Sequence, residues 1–139
     1  MLLDDLPAIH TLLTTAKTIA VVGLSPKESR PSNMVARYLI EAGYTVIPVN
    51  PGQEKILGLP CYPNLAAIPT PVDIVDIFRR SEDVPPIVDE AIAIGAKAIW
   101  MQEGVIHAEA ARTAKAAGLM VVMDRCIKTM HHDLGHEQG

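Results

Sequence analysis

Apolar residues along this chain follow two alternating rhythms. Short unbroken apolar runs occupy Thr18–Gly23, Tyr44–Val49, Val72–Phe78, Lys97–Met101 and Leu119–Met123. Each is short and rich in Val, Ile or Met, the mark of a strand buried on both faces of a parallel sheet. Elsewhere the apolar positions recur every three or four residues. Leu6, Ile9, Leu13 and Ala16 form one such stripe, and Val35, Leu39 and Ala42 a second. Val84, Ile87, Val88, Ala91 and Ile94 form a third, and Ile106, Ala110, Ala114 and Ala117 a fourth. These are the faces of amphipathic helices. Three times an Ala-rich stripe ends in glycine just before an apolar run, at Gly43, Gly95 and Gly118, as expected of a helix stop. Pro7 and Pro85 fall in first turns, where no amide donor is required.

Strands alternating with helices predict an α/β fold, a doubly wound parallel sheet of about five strands with helices on both faces. The rhythm breaks once, over Pro51–Pro71. Its five prolines (51, 60, 63, 69 and 71) preclude a full crossover helix, although Asn64–Ile68 has room for one helical turn. The segment is placed to cover a ligand. Residues 129–139 read as a polar tail that frays.

Composition narrows the function classes. At 139 residues the chain is the size of one domain, 1–139, with 49% hydrophobic and 20% charged residues, which excludes general disorder. Its net charge of −4 argues against a general nucleic-acid binder, and 4% aromatics against base-stacking platforms. Cys61 and Cys126 form no C-x-x-C motif, and reduced thiols are the simpler reading. With no basic n-region at Met1–Asp5 and no apolar run of membrane-spanning length, the expectation is a soluble, cytoplasmic protein that binds neither membrane nor nucleic acid.

In an open α/β sheet ligands bind beyond the carboxyl ends of the strands, so the loops there hold the candidate chemistry. After the first strand comes Gly23-Leu24-Ser25-Pro26-Lys27-Glu28-Ser29-Arg30-Pro31-Ser32. A glycine, polar residues and a helix start suit an anion; the competing reading is a tight turn with Ser32 as N-cap. The loop is neither G-x-G-x-x-G nor a Walker loop. After the second strand, Asn50-Pro51 stands where a dinucleotide site carries an acid for the ribose, which counts against NAD. After the third, Phe78-Arg79-Arg80-Ser81 offers two guanidinium forks to phosphates, or two surface arginines paired with Glu82 or Asp83. Phe78 reads first as core and second as a cover for an adenine.

The remaining loops are weaker. Glu103 reads as a helix-dipole partner rather than a base. Cys126 has no base beside it in the sequence. Cys126 with His131, His132 and His136 matches no zinc-finger spacing, and His10 and His107 read as surface residues of helices.

Taken in order, Val21-Val22-Gly23-Leu24-Ser25-Pro26, Arg30-Pro31-Ser32, Val46–Pro51, Val75–Ser81, Ala93–Lys97, Trp100–Val105 and Met123–Cys126 resemble the small stand-alone CoA-binding proteins over residues 8–130. The resemblance implies a Rossmann-like fold, similar to the N-terminal CoA-binding domain of the succinyl-CoA synthetase α subunit. It implies coenzyme A or an acyl-CoA as ligand. Gly23, Ser25, Arg30 and Ser32 would meet phosphates, and Asn50, Pro51, Phe78, Arg79, Arg80 and Val84 would frame the nucleotide. Leu24, Lys27 and Pro31 lie in the same loops. It does not imply synthetase chemistry, whose phosphorylated histidine and nucleotide-grasp machinery lie in other domains of that enzyme. The expectation is a module that carries, presents or senses CoA, with no catalysis or metal of its own, as a homo-oligomer or beside a protein partner. The alternative is a small NAD(P)-dependent oxidoreductase on the same sheet.

Overall fold

The computed structural model describes residues 6–138, with side chains to Gly135. The Met1–Asp5 segment that argued against a signal peptide lies outside the described residues. Five strands form one parallel sheet: β1 (Thr18–Val22), β2 (Thr45–Val49), β5 (Ile74–Ile77), β6 (Ala98–Met101) and β7 (Met120–Val122). Their order across the sheet is 2-1-5-6-7. The chain therefore winds outward from β1 to β2, then crosses to β5 on the other side, and the switch lies between β1 and β5. Every residue of β5 and β6 is buried, as a central parallel strand requires.

Helices cover both faces. α1 (Leu6–Thr15), α2 (Pro31–Glu41) and α5 (Ile127–Gln138) pack Ile9, Leu13, Val35, Leu39 and Ile127 against Ile19, Val21, Ile74 and Trp100. α3 (Val84–Ala93) and α4 (Ala108–Ala116) pack Val84, Val88, Ala91, Ala110 and Ala114 against Ala20, Val75, Ile77, Ile99 and Val121. Alanines at that second face let the helices lie close to the sheet. The expected stripes hold at their centres, but Leu6, Ala42, Ile106 and Ala117 at their ends are exposed.

Asp73, just before β5, holds the amino ends of three strands together. Its Oδ2 accepts from the Lys17 and Thr18 amides at 2.8 and 3.0 Å, and its Oδ1 pairs with Lys97 Nζ at 3.3 Å. Burial raises its carboxyl, but those amides and Lys97 outweigh it and hold it below the usual range.

Three local expectations change. The fraying tail is instead α5. Its Ile127 and Leu134 are buried, and His131 Nδ1 meets the Tyr38 hydroxyl at 2.7 Å with its ring edge-on to Tyr38 and Tyr44. The proline-rich segment has no crossover helix, as expected, but it contains a two-stranded ribbon, β3 (Lys55–Ile56) and β4 (Leu59–Pro60). It then makes the single turn of 3-10 helix at Leu65–Ala67, capped by Asn64, whose Oδ1 accepts from the Ala67 amide at 3.0 Å. Finally, α2 begins at Pro31, so Arg30 and not Ser32 is the N-cap.

Candidate functional site

The loops after β1 and β5 meet at the switch point and open a cleft of about 680 Å³. Gly23, Ser25, Arg30, Pro31, Ser32, Phe78, Arg79 and Arg80 all line it. A second cleft of about 310 Å³ adjoins it on the β2 side, lined by Pro51, Asn64, Leu65 and Glu90 among others. Arg79 and Asp83 belong to both walls. Volumes of this order suit a cofactor-sized ligand.

The approach of the two loops depends on Gly23. Its φ is +87°, and a Cβ there would lie 2.2 Å from the Phe78 carbonyl oxygen. Its amide donates to the Val49 carbonyl at 2.8 Å, and the Phe78 amide donates to Val22 at 2.8 Å. The ends of β2, β1 and β5 are thereby stitched together. Leu24 is fully buried, and its carbonyl accepts from the Asn50 side-chain amide at 2.8 Å. Asn50 thus braces the first loop from the second.

Further hydrogen bonds hold the rest of the loop, among them those of Asn33 and Arg37, which the sequence did not single out. The Ser25 amide donates to Ser32 Oγ at 3.0 Å, so Ser32 bridges the loop instead of capping the helix. The buried Asn33 donates to the Ser25 carbonyl at 2.9 Å and accepts from Arg37 Nε at 2.9 Å, and Arg37 also reaches the Glu28 carbonyl at 2.9 Å. Only the i, i+4 spacing of Asn33 and Arg37 on a helix hinted at this brace.

The cations differ in setting. Arg80 is exposed and pairs with Glu82 and Asp83, both at 3.3 Å. Arg79 is half-buried, faces both clefts and has no ion pair among the described residues. Lys27 is exposed and outside both linings; its amide closes a turn onto Ser25 Oγ at 3.1 Å. Val84 is fully buried and packs in the core, so it supports the cleft from beneath.

The proline-rich segment roofs the second cleft. Asn50 and Tyr62 exchange backbone contacts with the end of β2, the Asn50 amide donating to Tyr62 and the Tyr62 amide to Pro48, both at 3.0 Å. The Leu65 amide donates to Glu90 Oε1 at 3.0 Å, tying the roof to α3.

At the far wall, Gln102, Glu103 and Cys126 join the lining of the larger cleft. The Gly104 amide donates to Asp124 Oδ1 at 2.7 Å, and the Ile106 amide to Ser81 Oγ at 2.9 Å, fixing this loop between its neighbours. Cys126 precedes α5, and its carbonyl accepts from the Met130 amide at 3.0 Å. Burial raises its thiol, but the Thr129 amide and hydroxyl, the Gln102 side chain and the Lys128 amide outweigh it and bring the thiol down. Asp76, on β5 between Val21 and Trp100 in the register, is completely buried, with neither oxygen hydrogen-bonded among the described residues. Burial, followed by the charge of Cys126, pushes its carboxyl well above the usual range. His107 is not a surface residue of a helix: its Nδ1 caps α4, accepting from the Ala110 amide at 3.0 Å. His131 and His132 lie on α5, and His136 falls beyond the described side chains. Among the described residues no cluster of His, Cys, Asp and Glu is arranged to hold a metal ion, and no helix is long and apolar enough to cross a membrane.

An open parallel sheet with a glycine turn, a helix start and two arginines at its switch point defines a nucleotide-binding α/β domain. More narrowly, the chain belongs to the CoA binding domain family, whose model matches residues 17–132. It is 42% identical over 123 residues to protein YneT of Bacillus subtilis, covering 88% of this chain and 91% of that one. It is 30% identical over 128 residues to the ADP-forming acetate–CoA ligase I of Archaeoglobus fulgidus, covering 85% of this chain but 19% of the ligase. Among solved structures it is similar to the PH1109 protein redesigned for binding, with a TM-score of 0.92 and 43% identity over 94% of this chain and 92% of that one. A hypothetical protein from Pyrococcus horikoshii OT3 matches with the same TM-score at 40% identity, covering 96% of each chain. The Rossmann-like fold and the kinship to succinyl-CoA-synthetase-like ADP-forming ligases are thus established.

Proposed function

We propose that this chain carries, presents or senses CoA or an acyl-CoA and does not turn it over. The observation that carries this reading is the meeting of the β1 and β5 loops, which sets Arg30, Arg79 and Arg80 around one cleft beside the amino end of α2. CoA carries a pyrophosphate and a 3′-phosphate, and guanidinium forks with a helix dipole complement such charge. Gly23, Ser25 and Ser32 would approach the pyrophosphate, Arg79 would reach it from either cleft, and the roofed second cleft would take one end of the ligand. Family membership supports CoA over other nucleotides. The NAD(P) reading is disfavoured by Asn50, an amide already committed to Leu24 where a ribose-binding acid would stand.

Titration calorimetry with CoA, acetyl-CoA and NADH tests ligand choice, and steady-state assays with acyl-CoA, NADH and ATP test turnover. Saturable CoA binding, much weaker NADH binding and no turnover are expected. NADH binding as tight as CoA, or turnover abolished by Glu103→Gln, would overturn the proposal.

A further inference from the structure

The charges that line the larger cleft are sorted across it. Its cations, Arg30, Arg79 and Arg80, all come from the loops after β1 and β5. Of its acids, Asp83 already pairs with Arg80 at 3.3 Å, whereas Glu103, after β6, has no ion pair among the described residues. Glu103 is exposed, but the turn that carries it is fixed by three amides. The Val105 amide donates to the Gln102 carbonyl at 2.8 Å, the Gly104 amide to Asp124 Oδ1 at 2.7 Å and the Ile106 amide to Ser81 Oγ at 2.9 Å. The strand order 2-1-5-6-7 puts the arginine loops in the middle, the second cleft on the β2 side and Glu103 on the β6 side. A ligand held by its phosphates at the arginines therefore sends one end toward each.

The two ends of CoA differ enough to be assigned. Val22, Val49, Pro51, Leu65 and Ile87 give the second cleft apolar walls, and its volume of about 310 Å³ suits a flat base. Arg79, the cation that borders it, stands where the 3′-phosphate beside that base needs one. The pantetheine arm, with the sulfur and any acyl group at its tip, then runs toward Gln102, Glu103 and Val105. We propose that Glu103 sets the acyl class: it admits CoA and uncharged acyl-CoAs and turns away acyl groups that end in a carboxylate. This rests on the CoA reading above. A terminal carboxylate brought to that wall is repelled by the Glu103 carboxylate, and none of the lining cations stands on that side to offset the repulsion. An uncharged acyl group meets no such penalty and can lie against Val105, which shares the wall.

The test is calorimetry with CoA, butyryl-CoA and malonyl-CoA at low and high salt. The two acyl chains are similar in length and differ in their terminal charge. The readout is the ratio of butyryl-CoA to malonyl-CoA affinity, compared between variants, because a methyl and a carboxylate also differ in hydration. Glu103→Gln should lower that ratio by at least about threefold at low salt, and Glu103→Lys should lower it further. The change should shrink as salt rises. Glu109→Gln, on α4 and outside the lining of either cleft, removes the same charge and should leave the ratio in place. If CoA binds but Glu103→Gln moves the ratio by less than about threefold, or Glu109→Gln moves it as far, the acyl assignment is overturned and the CoA reading stands. If CoA itself does not bind, both fall.

Discussion

Replacing Gly23 by alanine tests whether the close approach of the β1 and β5 loops is what builds the cleft. Two penalties are separable. The first is backbone: at φ +87° a residue with a Cβ costs about 1–2 kcal/mol. The second is steric. The new methyl would lie 2.2 Å from the Phe78 carbonyl oxygen and 3.0 Å from its carbon, against main chain that no rotamer change relieves. Overpacking of that kind adds about 1–3 kcal/mol, so Gly23→Ala should cost about 2–5 kcal/mol. Gly118→Ala is the control, because its φ is +94° and a Cβ there meets nothing within 4 Å. It should cost only the backbone share, about 1–2 kcal/mol. Urea unfolding gives both differences from the midpoints at constant slope. Calorimetry then asks about the ligand: Gly23→Ala should lose CoA affinity because Phe78 and Arg79 are pushed from the β1 loop, and Gly118→Ala should keep it. Equal stability losses, or undiminished CoA binding by Gly23→Ala, would refute the reasoning.

Arg79→Ala should weaken CoA by about 10- to 150-fold, whereas Arg80→Ala, whose exposed guanidinium already has two acids, should cost less than about fivefold; calorimetry giving the reverse order would sink the assignment. Dephospho-CoA should bind about 10- to 150-fold more weakly than CoA, with the gap narrowing in high salt, and equal affinities would mean the 3′-phosphate is unread. Asp73, held low in the folded state, releases its proton before the unfolded chain does. Its stabilisation is therefore present above the unfolded carboxyl value of about 3.9 and is lost as pH falls through the native one; Asp73→Asn should flatten that acid limb of a urea-midpoint profile. Asp76 has the opposite sign, since the folded state keeps its proton longer. Stability is lost as pH rises above about 3.9 toward the raised native value, so Asp76→Asn should exceed the unsubstituted protein in stability at pH 7 and match it near pH 3. A variant less stable at pH 7 would contradict this.

The sheet was legible because central parallel strands are unbroken apolar runs, and β1, β2, β5, β6 and β7 all fall within the expected segments. The loops at their carboxyl ends were legible for the same reason: once the strands are placed, Gly23, Ser25, Ser32, Phe78 and Arg79 must converge. What escaped depends on sparse or distant signals. α5 buries Ile127 and Leu134, seven residues apart, amid histidines, a glycine and acids, so it shows no stripe. The β3–β4 ribbon turns through Leu57 and Gly58, both at positive φ, and leucine is no turn signal there. The reach of Asn33 and Arg37 from α2 back to the Ser25 and Glu28 carbonyls is a contact between a helix and the loop before it, which periodicity along the helix cannot register.

The two aspartates of the β5 segment show how this sheet divides its labour. Asp73 lies at the amino end, where the chain enters the strand, and receives two backbone amides and a lysine. Those donors come from the starts of β1 and β6, so one charge fixes three strands. Asp76 lies three residues on, between Val21 and Trp100 in the sheet register, and receives no donor among the described residues. Trp100 is not spent on it either, for its indole N–H donates to the Arg125 carbonyl at 2.8 Å and so holds the chain just before Cys126. A hydrophobic residue at position 76 would satisfy the core at lower cost, because a carboxyl there forgoes its hydrogen bonds. Stability is concentrated where the strands start, and the cost of an unpartnered acid is carried further along the same strand.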